Sequence, residues 1–299
     1  MTQRQIIIDT DPGLDDAVAI LFALNSGRFS VLGLTSVAGN LGIDVTTRNC
    51  GRLLALLDRA DVPVVAGATT PLTRQGIDEV AIHGSDGLGG VVLPEPLAPP
   101  VAGFAPDWMA EQLLAHPPGS IDILALGPLT NIALLLRDHP EAAQRVGRVI
   151  IMGGVVNDKG NVGPHSEFNF ACDPEAVDAV LRAALETVII PLDVTRQVRA
   201  DEAYLQALRG RSTSANAAAE LILAYFKDGR ESRPLHDPCV MLYALEPALF
   251  TLETLCLSID LGADEDAGAF RADEWGVPVS IALGVNAKGA LKLLAAGLV

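Results

Sequence analysis

No stretch of eighteen apolar residues occurs in this 299-residue chain, so the sequence offers no transmembrane helix. Basic residues are scarce: 21 Lys and Arg stand against 37 Asp and Glu, a formal net charge of −16. Such a surface repels phosphate backbones and anionic headgroups, so neither nucleic acid nor membrane is expected as a partner. Cysteines are few and scattered. Cys50, Cys172, Cys239 and Cys256 form no C-x-x-C pair, which removes the usual zinc and dithiol-redox readings. They read as four mostly buried thiols of a reducing compartment, and only Cys239, near His236, has even a weak claim to reactivity. No apolar signal core opens the chain, because Asp9, Asp11, Asp15 and Asp16 interrupt it directly after Ile6-Ile7-Ile8. A cytoplasmic protein is expected. No linker, repeat or low-complexity tail divides the chain, so residues 1–299 are expected to form a single domain.

About half the residues are apolar (49%), enough for a sizeable core. Short, β-branched apolar runs at 6–8, 31–37, 64–66, 121–125, 149–152 and 188–191 read as strands covered on both faces. Helical patterns at 16–25, 46–58, 107–115, 131–137 and 174–185 separate them. A further helix is expected over 214–226, followed by a polar stretch, two strand-like runs at 255–261 and 279–283, and a last helix from about Asn286. The alternation predicts an α/β fold: a single open, mostly parallel, Rossmann-like central sheet flanked by helices. Five prolines between Pro94 and Pro106 predict an irregular crossing loop. In such sheets ligands bind beyond the carboxyl ends of the strands, where Asp9–Asp16, Ala38-Gly39-Asn40, Leu126-Gly127-Pro128, Gly153-Gly154 and Asp193 fall.

Asp9-Thr10-Asp11-Pro12-Gly13-Leu14-Asp15-Asp16 places four carboxylates within eight residues. Period two puts Asp9 and Asp11 on one strand face. A helix N-terminus favours each of Asp15 and Asp16 by only ~0.3–1 kcal/mol. That gain does not offset four close anions, so a hard divalent cation with oxygen ligands is the natural partner. Asp15 and Asp16 point about 100° apart on a helix, so one can hold the metal while the other faces substrate. Capping with surface charge is the plain alternative. An aspartyl-nucleophile phosphotransferase also begins with D-x-D, but such enzymes place Thr or Val where this chain has Gly13, and no phosphate loop is evident.

Glu167-Phe168-Asn169-Phe170, read as a strand or extended loop, puts Glu167 and Asn169 on one face, suited to sugar hydroxyls or to a structural network. In His236-Asp237-Pro238, Asp237 and Pro238 suit a helix start, and a functional version makes Asp237 a metal ligand and His236 a proton donor. His83 lies in a glycine-rich loop, residues 76–90, a candidate flap whose histidine is placed among the substrate contacts. His116 and His139 each precede a proline at a helix end and read as structural, while His165, near Glu167, is open to either role.

These segments together resemble the nucleoside hydrolase family, calcium-dependent N-ribohydrolases, over essentially the whole chain. Asp9–Asp16 (D-T-D-P-G-L-D-D) matches the opening signature, and Gly39-Asn40, Gly127–Ala133 (G-P-L-T-N-I-A), Met152-Gly153-Gly154, Asn161, Glu167-Phe168-Asn169 and His236-Asp237-Pro238 follow in order. The resemblance implies Ca²⁺ held by Asp11, Asp16, Asp237 and the Leu126 carbonyl, with Asp11 also deprotonating the attacking water. It implies Asp15 and Asn169 on the ribose 2′- and 3′-hydroxyls, Asn161 and Glu167 at the 5′-hydroxyl, Asn40 and Met152 lining the ribose pocket, and His236 protonating or hydrogen-bonding the departing base. Homodimers or homotetramers are implied as well. The polar segment 227–235 lacks the aromatic that family members often carry there, so the resemblance assigns no preferred base. That departure also suggests an alternative, a non-catalytic calcium-dependent nucleoside or ribose binder.

Overall fold

The computed structural model describes residues 3–225 and 232–299. Its strands are β1 (Arg4–Thr10), β2 (Phe29–Ser36), β3 (Val64–Ala66), β4 (Ile121–Ala125), β5 (Val149–Met152), β6 (Thr187–Ile190), β7 (Arg199–Asp201), β8 (Ser232–Pro234), β9 (Phe250–Ile259), β10 (Phe270–Ala272) and β11 (Val277–Val285). Among the described residues nine of these form one sheet in the order β10-β9-β11-β6-β5-β4-β1-β2-β3, while β7 and β8 pair separately. From β3 across to β11 all neighbours run parallel; β9 and β10 add an antiparallel margin. The α/β architecture with a mostly parallel central sheet is the one the alternation predicts.

Side-chain period sorts the core into two layers. Ile6 and Ile8 of β1, Leu124 of β4 and Ile150 of β5 face one side, against the helices Leu14–Asn25, Thr213–Ala224, Pro238–Leu245 and Ala287–Leu298. Ile7, Ile123 and Ile151 face the other, against Ala105–Ala115, Thr130–Asp138 and Pro174–Arg182. Helix Leu14–Asn25 is buried from Leu14 to Ala23, because helices cover it on its outer side as the sheet does on its inner. Between residues 84 and 105 the chain crosses without helix or strand, as its prolines dictate. No described helix is long and apolar enough to span a membrane.

Two expectations are corrected. Glu167–Phe170 is not extended: Glu167 is the N-cap of a short helix, Phe168–Cys172. Asp11 is not on a strand face with Asp9, since β1 ends at Thr10. The expected helix over 214–226 ends at Ala224, and Phe226 with residues 227–231 lies outside the described residues.

The strand order β3-β2-β1-β4-β5-β6 reverses direction of travel between β1 and β4. At such a switch point the loops leaving neighbouring strands diverge and open a crevice at their carboxyl ends. The acidic turn leaves β1 at that place, and Leu126-Gly127-Pro128 leaves β4 beside it.

Candidate active site

The four opening aspartates take four different positions. Asp9 is sealed beneath the turn, its Oδ1 accepting from Thr35 Oγ1 (2.6 Å) and Asn131 Nδ2 (2.8 Å), and burial raises its pKa to about 7. Asp11 is fully buried; its Oδ2 accepts from the Asn40 backbone N–H (2.6 Å), while Oδ1 has no partner among the described residues. Burial first, then the nearby Asp16 charge, push its pKa well up. Asp16 accepts from Thr10 Oγ1 (2.6 Å), Gly13 N–H (2.9 Å) and Asn40 Nδ2 (3.2 Å), closing the first turn of its own helix. Burial and then Asp15 lift its pKa to about 6. Asp15 accepts from the Tyr225 hydroxyl at 2.6 Å.

Asp237 joins this group from the far end of the chain. It is the N-cap residue of Pro238–Leu245, yet its side chain caps nothing. Its carboxylate turns instead toward Asp15 and Asp16, and oxygens of all three lie within 4.8 Å of one another. Burial, followed by the charges of Asp15, Asp16 and Asp11, raises the Asp237 pKa well above the usual carboxylate range. Three converging buried carboxylates, an orphaned Asp11 oxygen next to Asp16 and the Leu126 carbonyl make an all-oxygen donor set. The cluster can hold a metal ion, since an unneutralised group of this kind is costly in a buried place. Glycines permit the crowding: a Cβ on Gly39 or Gly127 would strike the Asp11 carboxylate.

Above the cluster opens a cavity of about 350 Å³. Its wall brings together Asp15, Asn40, His83, Leu126, Met152, Asn161, Glu167, Asn169, His236 and Asp237, ten of the twelve residues singled out from the sequence; Asp11 and Asp16 lie beneath it. Asn169 donates through Nδ2 to the carbonyls of Leu126 (2.7 Å) and Met152 (3.1 Å), which fixes its amide and leaves Oδ1 for the cavity. Glu167 accepts from the backbone N–H groups of Gly154, Asn169 and Phe170, and burial still raises its pKa to about 7. Asn161 accepts from Phe168 N–H through Oδ1, so its NH₂ remains to donate.

Two histidines share the wall. His83 Nδ1 accepts from Leu14 N–H at 3.0 Å, so the proton of its neutral ring sits on Nε2. A Cβ at Gly13 would come within 2.6 Å of this ring, so the glycine of the opening signature makes room for it. His236 lies 2.7 Å from Thr195 Oγ1 through Nδ1, and its pKa is lowered, chiefly by burial. His116 and His139 are bonded to Gln112 O and Asp107, as structural residues would be, and His165 pairs with Asp266 away from the cavity.

Sequence reasoning missed Tyr225, Arg233, Arg196, Glu79 and Phe168 in the wall. Tyr225 packs edge-on against His83, with ring centroids 5.8 Å apart, and the Arg233 guanidinium lies 5.6 Å from the centre of the Tyr225 ring. An aromatic is therefore present at the cavity, two residues before the 227–235 segment.

The model of the inosine-uridine preferring nucleoside hydrolase family matches residues 6–292. A pyrimidine-specific ribonucleoside hydrolase (RihA) of Shewanella woodyi is 37% identical, the alignment covering 99% of this chain and 98% of that protein. Among solved structures, a plant nucleoside hydrolase superposes with a TM-score of 0.92 at 33% identity, covering 99% of both chains. A purine-preferring ribonucleoside hydrolase from Gardnerella vaginalis gives 0.91 at 25% identity, covering 99% of this chain and 98% of that one. On the family match over nearly its whole length, the chain belongs to the inosine-uridine preferring nucleoside hydrolases, enzymes that hydrolyse N-glycosidic bonds.

Proposed function

We propose that this enzyme hydrolyses the N-glycosidic bond of ribonucleosides to ribose and free base, with Ca²⁺ in the aspartate cluster. One observation carries the reading: buried carboxylates converge at the floor of a cavity whose wall holds the amides and carboxylates that ribose hydroxyls require. The oxygen-only donors Asp11, Asp16, Asp237 and Leu126 O suit a hard cation, with Asp15 close enough to share the site. A calcium ion there would neutralise the cluster and lower the pKa of an attacking water.

The chain's own groups supply the rest. Asp11 accepts the proton of the attacking water through its free Oδ1. Asp15 and Asn169 accept from the 2′- and 3′-hydroxyls, and Asn161 and Glu167 hold the 5′-hydroxyl, with Asn40 and Met152 shaping the ribose pocket. As the C–N bond breaks, positive charge develops on the sugar in an oxocarbenium-like state, and the surrounding carboxylates attract it more strongly than they attract the ground state. His236 donates a hydrogen bond from its ring N–H to the departing base, with His83 and Tyr225 beside it. Relatives named for pyrimidine and for purine substrates share the fold, so both kinds of nucleoside belong in the test.

The measurement is release of reducing sugar from a panel of nucleosides, with and without chelator. Turnover restored by Ca²⁺ and abolished in Asp11→Ala supports the reading; undiminished turnover in the stripped Asp11→Ala protein refutes it. A single domain over 1–299, a homodimer or homotetramer, and a cytoplasmic location complete the proposal. Light scattering and cell fractionation check the last two.

A further inference from the structure

We infer that Thr195 is a positioning residue that fixes the tautomer of His236, so that the neutral ring presents Nε2–H as a hydrogen-bond donor to the departing base. The inference rests on the hydrolytic reading above and concerns a residue to which that reading gives no part. Thr195 is fully buried, and its side chain has one hydrogen-bond partner among the described residues, Nδ1 of His236 at 2.7 Å. A helical threonine ordinarily turns its hydroxyl back to the carbonyl four residues earlier. Here that carbonyl, Pro191 O, accepts from the N–H groups of Val194 and Thr195, and Oγ1 makes no bond to it.

The hydroxyl proton therefore has Nδ1 as its acceptor. The reverse arrangement, Nδ1–H donating to Oγ1, would strand a buried O–H donor, which is the costlier fault in a closed site. A ring that accepts at Nδ1 carries the proton of its neutral form on Nε2. His83 is held in the same sense, by a backbone N–H in place of a hydroxyl.

The scaffold keeps the two partners in register. Thr195 stands four residues before β7 and His236 two residues after β8, and β7 pairs with β8. Leu235 N–H donates to Val198 O at 2.9 Å, tying the chain beside His236 to the turn after Thr195. The short helix Leu192–Thr195 is moored in turn by Asp193, which accepts from the N–H groups of Val156 and Asn157. This frame holds the two backbones at the separation that the 2.7 Å contact requires.

The test uses full-length protein labelled with ¹⁵N-histidine and long-range ¹H–¹⁵N spectra at about pH 8, where a histidine of ordinary pKa is neutral. The His236 signals are assigned by their loss in His236→Ala. The expected spectrum shows Nε2 protonated and Nδ1 bare. Thr195→Val, close to isosteric, is expected to mix the tautomers and to slow uridine and inosine turnover about 10- to 100-fold. Nitrophenyl riboside, whose leaving group needs no proton, should be hydrolysed within about twofold of the parent rate, and Thr195→Ser should restore nucleoside turnover. A wild-type ring protonated on Nδ1, or equal losses on both substrates with an unchanged tautomer, overturns the inference. The wild-type spectrum and the Ser variant decide it even where the Val variant does not fold. Failure of the wild-type enzyme to hydrolyse nucleoside or riboside counts against the hydrolytic reading and leaves the tautomer measurement standing.

Discussion

Asp15 and His236 face the same cavity but act on different parts of a nucleoside, so their substitutions should leave different kinetic traces. His236→Ala removes the donor to the leaving base and is expected to cost about 10²- to 10⁴-fold on natural nucleosides, with little change on nitrophenyl riboside. Parallel rate measurements on the two substrates check this, and equal losses would remove His236 from the role of hydrogen-bond donor to the leaving base. Asp15 instead answers to the sugar. Its carboxylate is oriented by Tyr225 at 2.6 Å, and a hydrogen bond to a carboxylate contributes roughly 1.5–3 kcal/mol. Asp15→Ala should therefore lose most of the discrimination between ribo- and 2′-deoxyribonucleosides, because the partner that a deoxy sugar leaves unpaired is gone. Tyr225→Phe should produce a smaller loss of the same kind. Comparing kcat/KM for uridine and deoxyuridine across the three proteins separates orientation of the carboxylate from its presence.

Two glycines in turns between strand and helix make room for the cluster. Gly39 follows β2 and Gly127 follows β4, and both pack against Asp11 so closely that no Cβ fits. Gly127→Ala should displace the Asp11 carboxylate, weaken calcium binding by tenfold or more in calorimetry and reduce turnover with it, while the distant sheet margin melts normally. Unchanged calcium affinity would show that the backbone has room to yield. The same turns explain what could be read in advance. Strands buried on both faces announce themselves as β-branched runs, and an acidic cluster coded within eight residues is visible without a structure. Glu167–Phe170 was opaque because its helix spans only five residues, too few to show a period of 3.6, and Glu is an uncommon cap. Tyr225, Arg233 and Thr195 were opaque for another reason. Tyr225 and Thr195 lie far in sequence from their partners Asp15 and His236, and the packing of the Thr213–Ala224 helix and the pairing of β7 with β8 bring them together; the same pairing carries Arg233, on β8, to the cavity wall.

The whole molecule places its costliest charges where two halves of the sheet part, and its stability should record that choice. Burial raises the pKa of Asp9 to about 7, Asp16 to about 6 and Glu167 to about 7, and raises Asp11 and Asp237 as well. The folded chain thus holds protons that the unfolded chain has already released above about pH 4. For groups raised in this way, stability is intact below the unfolded pKa and is lost as pH climbs through the folded one, by about 1.4 kcal/mol per pH unit for each extra proton held. Metal-stripped protein should therefore lose stability between about pH 4 and 7. Surface carboxylates held low by arginines, such as Asp158 beside Arg196, act in the opposite sense, but they are the same with and without metal and cancel in a difference. A divalent cation binds the deprotonated cluster, so the gap in Tm between calcium-loaded and stripped protein should widen as pH rises from about 5 to about 7. Scanning calorimetry at fixed ionic strength measures that gap directly. A gap that stayed level or narrowed over this range would mean that the buried aspartates keep their protons in the loaded enzyme, and Asp11, as a neutral carboxylic acid, would then be too weak a base to take a proton from water.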